Sequence, residues 1–385
     1  MGGQASANQP QMPPWLVPYA IEGAPPGVAA FSFAAPAATA AVAATAATAA
    51  EARELAERQA ATRAARKATY AGPASPLITL RDGALMPAVG LGTWKAAAGE
   101  VRAAVAAALR AGYRHIDCAE VYQNEEEVGE ALGRVLEDGL VPRQELYIVS
   151  KVWNTNHAAA RVRQACLRSL KALRLAYLDL YLIHWPVTGN VGPEVKPSIR
   201  ETWQAMEGLV REGLVRSIGV SNFGVKKLAD MLSYAAIPPA VCQVEVHPYH
   251  RNDALIAWCT AHDIHVTAFS PLGSPDSESI FPRKKPLVLM QDATVKAVAE
   301  CSRKNVGQVL IRWALQHGTS VIPKSTSPAR IRGNLEVFDW ELSAEDYAAL
   351  SSLSDQQRMV NGAMWLNPKG PYRTMEDLWD EPEVD

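Results

Sequence analysis

Cysteine is sparse in this sequence, and what there is shows no pattern. Five occur in 385 residues, at 118, 166, 242, 259 and 301, with no CxxC among them. An odd, scattered set speaks against a disulfide framework or a zinc ribbon and leaves reduced thiols of an intracellular compartment. Neither sign of charge dominates. The 38 Lys and Arg against 40 Asp and Glu leave a net −2, without the basic footprint that nucleic-acid partners require. The start lacks the basic region and compact apolar core of a secretory leader. The uncharged stretch 27–50 is mostly Ala with Ser, Thr and Pro36, poor in the Leu, Ile, Phe and Val of membrane spans. No GxGxxG opens a helix, which disfavours a doubly wound dinucleotide-binding sheet.

Two regimes are present. Residues 1–76 are low in complexity, with a Pro/Gly-rich start followed by an Ala-rich tract. So little large apolar surface predicts disorder, apart from a candidate helix at 51–67 where Glu54 precedes Arg58 by four residues. The opening MGGQAS matches a myristoylation pattern at Gly2. One acyl chain without a following basic cluster gives only weak membrane contact. A plastid transit segment is the alternative, weakened because no Arg or Lys precedes Arg53. The expectation is a cytoplasmic monomer.

From residue 77 the pattern becomes regular. ITLRDGALMPAVGLG reads as a hairpin turning at Asp82-Gly83. Helical and strand patterns then alternate. Strands begin near 113, 145, 178, 215, 240, 264 and 319, and MPAVGLG (86–92) precedes them as the first. Eight apolar strands joined by helical crossovers predict an α/β fold, a (β/α)₈ TIM barrel over 77–385 with a long C-terminal tail.

The C-terminal strand ends of such a barrel carry its chemistry. Strand 2 ends at Asp117 with Tyr122 in the following loop, strand 3 at Lys151 and strand 4 at His184. Each alone has a plain structural explanation: a turn cap, a rim aromatic, a solvated lysine, a satisfied histidine. Four ionisable groups at successive strand ends weaken those explanations together. Carbonyl reduction needs a hydride at carbon and a proton at oxygen. Tyrosine is a weak acid, with a reference pKa of about 10, and a neighbouring ammonium favours its phenolate and lowers that value. Lys151 is suited to that task, Asp117 to holding Lys151 charged, and His184 to orienting the substrate oxygen. His247/His250 and His262/His265 have spacings that suggest metal, but without a Cys or acidic set they read as surface histidines, and no metal is expected. Cys118 reads as a packed strand residue.

The segments GYRHIDCAEVYQNEEEVGEAL, IVSKVWN, DLYLIHWP, GLVRSIGVSNF, VCQVEVHPY, VTAFSPLGSPD and VIPKSTSPARIRGN closely resemble the aldo-keto reductase superfamily, in the family order. The ending MVNGAMWLNPKGPYRTMEDLWD resembles its plant-type members most. The resemblance implies NADPH-dependent reduction of aldehydes or ketones, sugar aldehydes included, with Tyr122 as general acid and Asp117, Lys151 and His184 around it. It implies cofactor contacts from Thr93, Trp94, Ser221, Asn222, Gln243 and Phe269, the last standing where the family stacks a tyrosine on the nicotinamide. Ser270, Leu272 and Ser274 would line the pyrophosphate. Lys324, Ser325, Thr326 and Arg330 would clamp the 2′-phosphate, with Asn334 beside them. Gly333 stands where the family often has Glu, which puts one adenosine contact in doubt. Trp94, Val121, Trp153, Trp185 and Trp365 would form the substrate mouth, under a loop at 187–197. Two other classes fit a barrel: an NADPH-binding regulatory protein without turnover, and a metal-dependent isomerase.

Overall fold

The computed structural model describes residues 69–189 and 192–381, together with 57, 58, 60 and 61, which are helical. Gly2, most of the candidate helix at 51–67 and two residues of the 187–197 loop lie outside the described residues.

Strands β1 (Leu77–Thr79) and β2 (Leu85–Pro87) form the antiparallel hairpin. Its turn works because Gly83 holds φ +83° and the Asp82 carboxylate accepts from the Ala84 N–H, an Asx-type turn. The segment 86–92 is not one strand. The hairpin ladder ends where Ala88 donates to the Pro76 carbonyl, since Pro76 has no N–H to return, and the chain restarts as β3 (Gly90–Gly92).

Seven more strands follow: β4 (His115–Asp117), β5 (Tyr147–Val152), β6 (Leu178–Ile183), β7 (Val215–Ser221), β8 (Val241–Glu245), β9 (His265–Phe269) and β10 (Ser320–Val321). They pair in parallel in chain order. Bridges from Val89 to Val321 and from Gly92 to Lys324 close the ring, so this is a (β/α)₈ barrel.

Crossover helices include α1 (Glu100–Ala111), α2 (Glu125–Glu137), α3 (Ala159–Leu173) and α4 (Ile199–Arg211). Val101, Ala104, Val105, Ala108 and Leu109 form the buried stripe of α1, and Gly112 ends it at φ +103°, the left-handed cap that glycine adopts without strain. Ser198 and Glu201 start α4 with a reciprocal capping box.

The period of two along each strand sorts inside from outside. On β5, Ile148 and Val152 join the large cluster under the helices. Tyr147 and Val149 instead join Leu180, Leu182 and Val241 within the barrel, where Leu80 and Met86 of the hairpin plug the lower end. The next inward residue on β5 is Lys151, so the inside changes from apolar to ionisable toward the C-terminal rim.

The sequence boundary at residue 76 needs adjustment. Ala71 and Ala74 donate backbone hydrogen bonds to Arg110 and Gly112, and the Ser75 hydroxyl accepts from Val89. Residues 71–75 are therefore tied to the barrel's lower end.

Candidate functional site

A cleft of about 880 Å³ opens at the C-terminal rim. Every site residue singled out from the sequence lines it except Lys151, which lies fully buried beneath its floor.

The Lys151 ammonium donates to Asp117 Oδ1 at 2.5 Å, to the Cys118 carbonyl at 2.9 Å and to the Tyr122 hydroxyl at 3.3 Å. All three of its protons are thereby directed. The other Asp117 oxygen accepts from Gln243 Nε2 at 2.7 Å. Lys151 is held charged: burial opposes its charge, but the Asp117 carboxylate and Tyr122 more than offset it and raise its pKa.

For Tyr122 the sequence expectation is corrected. Burial is the larger influence and pushes the phenol up to about 12, although Lys151 pulls it down. The expected lowering considered the cation and not the loss of water around the ring. His184 is held well below its usual range, first by burial and then by Lys151, so it is a neutral imidazole at physiological pH. Its ring meets Tyr122 and Trp153 edge-on, with centroids 5.7 and 5.1 Å away.

Next to this floor, two amides present a fixed pattern. Asn222 Nδ2 donates to the His184 carbonyl at 2.9 Å. Gln243 Nε2 faces a carboxylate. Both partners can only accept, so both nitrogens must point at them, and each side-chain oxygen is left over. Asn222 Oδ1 is buried and has no partner among the described residues. Ser221 adds a buried hydroxyl. Thr93 spends its own hydroxyl on the Asp117 carbonyl, at 2.8 Å, so its side-chain hydroxyl is already committed.

The cleft's far end is cationic. Lys324 and Arg330 line it with Ser325, Thr326 and Asn334. Sequence reasoning missed the span between the two ends. Lys95 reaches across the cleft to Ser274 Oγ at 2.9 Å and Asp276 Oδ1 at 2.5 Å. Lys95 and Asp276 come from different strand-end loops, and no local motif links them. Four wall residues, Lys95, Asn222, Ser270 and Ser274, hold φ of 60°, 63°, 48° and 38°, conformations uncommon for residues with a Cβ and often found at functional sites. At Gly333 the wall is open: a Cβ there would meet only Asn305 Nδ2, at 3.8 Å.

Trp153 and Trp185 contact Trp365 of the tail, with ring centroids 5.8 and 6.0 Å apart. With Trp94, Val121, Phe281 and Met364 they give the other end of the cleft an apolar, aromatic wall. Sequence reasoning missed Phe281 and Met364, which carry no motif.

The histidines need a second correction. His247 is fully buried, not on the surface, and its Nε2 meets Glu245 Oε1 at 2.7 Å. No group of three or more potential metal ligands occurs among the described residues.

Residues 88–355 match the model of the Aldo/keto reductase family. Aldo-keto reductase family 1 member A1-A of Danio rerio is 45% identical over 315 residues, 77% of this chain and 97% of its own. Aldo-keto reductase family 4 member C11 of Arabidopsis thaliana is 43% identical over 309 residues, 78% and 96% respectively. A crystal structure of a Bombyx mori aldo-keto reductase in complex with NADP superposes with a TM-score of 0.69 at 39% identity, covering 76% of this chain and 96% of that one.

Proposed function

This chain belongs to the aldo/keto reductase family, and we propose that it reduces aldehydes and ketones to alcohols with NADPH, using Tyr122 as the general acid. The observation that carries this reading is the Lys151 ammonium, which binds the Asp117 carboxylate and the Tyr122 hydroxyl at once under an aromatic cleft.

The residues present fit a nicotinamide dinucleotide phosphate. The leftover oxygens of Asn222 and Gln243 would accept from a carboxamide NH₂, and Phe269 would offer a flat face for stacking. Lys324 and Arg330 suit a phosphate at the other end. When bound, NADPH supplies the hydride.

The protein's own residues then act as follows. His184, neutral and walled by rings, donates a hydrogen bond that orients the carbonyl oxygen. Tyr122 keeps its proton through neutral pH because burial raises its pKa to about 12. An alkoxide is nevertheless the stronger base, its conjugate acid being about as weak as water at ~15.7, so transfer from the phenol runs downhill. Lys151 stabilises the phenolate left behind, and Asp117 keeps that cation in place. The tryptophans exclude water and favour substrates with a hydrophobic or aromatic body.

The reading includes a cytoplasmic monomer; the five cysteines, free of disulfides and four of them buried, support the reducing compartment. No helix among the described residues is long and apolar enough to cross a membrane.

The test is a panel of aromatic, aliphatic and sugar aldehydes, followed by loss of reduced-nucleotide absorbance with NADPH and NADH side by side. Turnover with NADPH is expected, and Tyr122→Phe should lower kcat by about 10² or more. No turnover of any carbonyl by the wild-type protein would overturn the reading.

A further inference from the structure

Two residues beyond Gln243 on β8, Glu245 again points inward, and no solvent reaches it. A bare carboxylate in that position is costly to bury unless its oxygens are fully paired. Here they are. Oε1 accepts from the Met359 N–H at 2.5 Å and meets His247 Nε2 at 2.7 Å, while Oε2 accepts from the Val360 N–H at 2.7 Å. Two successive backbone amides of the tail are thus held by one carboxylate of the barrel. The residue before them, Arg358, lays its guanidinium over the Trp379 ring at 3.6 Å and reaches Glu381 at 3.8 Å.

From this grip to the substrate mouth the path is short. Val360 itself lines the cleft. The Asn361 carbonyl accepts from Trp379 Nε1 at 2.7 Å. Gly362 then turns at φ +70°, where a Cβ would lie 2.9 Å from both Leu378 and Trp185. One 3₁₀ turn, Ala363–Trp365, follows and delivers Trp365 against Trp153 and Trp185. Only four residues of tightly seated chain, Asn361 to Met364, therefore separate the anchored amide of Val360 from the aromatic that closes the mouth.

We infer that Glu245 is a positioning residue for substrate selection, which sets where the tail, and with it Trp365, sits over the cleft. It touches neither substrate nor cofactor site and acts through the tail's backbone. This rests on the proposed carbonyl reduction, whose own failure would appear as an inactive wild-type enzyme.

Hydrogen exchange in the wild type tests the grip without any turnover. The Met359 and Val360 amides should exchange as slowly as those of β8. Exchange at the rate of the tail's exposed amides would overturn the inference. Glu245→Gln keeps the shape but turns an acceptor into a donor facing an N–H. It should raise KM for a bulky aromatic aldehyde about tenfold. With a small aliphatic aldehyde that does not reach Trp365, kcat should be unchanged, and NADPH affinity by tryptophan quenching should stay within about twofold. Equal KM for the aromatic substrate in both proteins, or an equal loss of kcat on both substrates, would overturn it. If Glu245→Gln does not fold, the exchange measurement still decides.

Discussion

Replacing Lys151 by Met removes a cation and leaves a side chain of similar length. Lys151 Nζ lies 3.3 Å from the Tyr122 oxygen. With an effective dielectric of about 20, unit charges at that distance interact by roughly 5 kcal/mol. A transition state bearing half a charge on the phenol oxygen would lose about 2.5 kcal/mol, close to a hundredfold in rate, and a full charge several thousandfold. The expected loss in kcat is thus on the order of 10² to 10⁴. Stability should fall as well, by about 3–5 kcal/mol, because Asp117 is left as a buried carboxylate without its cation. The two effects separate in a double variant. Lys151→Met with Asp117→Asn removes both charges and should regain most of the stability and none of the rate. Steady-state NADPH oxidation with an aromatic aldehyde measures the first, denaturant titration the second, and tryptophan quenching verifies that NADPH still binds. A single variant that keeps kcat within about tenfold, or a double variant that recovers it, would refute the relay.

Arg330→Ala should weaken NADPH binding by about 2 kcal/mol and leave NADH nearly untouched, since the lost charge-assisted bonds serve the extra phosphate; paired fluorescence titrations decide this, and an equal loss for both nucleotides would place the phosphate elsewhere. Burial lowers the pKa of His157 to about 3 and of His265 to about 4, so the unfolded chain, with ordinary histidines near 6.5, binds protons first as pH falls. Stability is then full above about pH 6.5 and is lost below it, by roughly 2 kcal/mol per histidine at pH 5; a melting temperature unchanged between pH 7 and 5 would contradict their neutral burial.

The sequence made the barrel legible because strand after strand repeats an apolar run, and because ionisable residues recur where those runs stop. Asp117, Tyr122, Lys151 and His184 stand out for that reason, and the structure brings them together. Three features were not readable in the same way. The break between β2 and β3 depends on where the ladder meets Pro76, across from what reads as one continuous run. The Lys95–Asp276 span joins residues about 180 positions apart, and each looks like an ordinary surface charge. The pKa of Tyr122 depends on how much water the folded walls remove, which no spacing records. Glu245 illustrates the same limit: alternation on β8 puts it inside the fold, but only His247 just beyond the strand and the returning tail give the carboxylate its partners.

The chain meets the barrel at residues 71–75, beside the plugged lower end, while the cleft opens at the opposite rim. A reporter dye attached at residues 71–75 themselves would therefore sit at the base of the molecule, away from the cleft. Immobilised through those residues, the barrel would turn its entrance toward the bulk liquid.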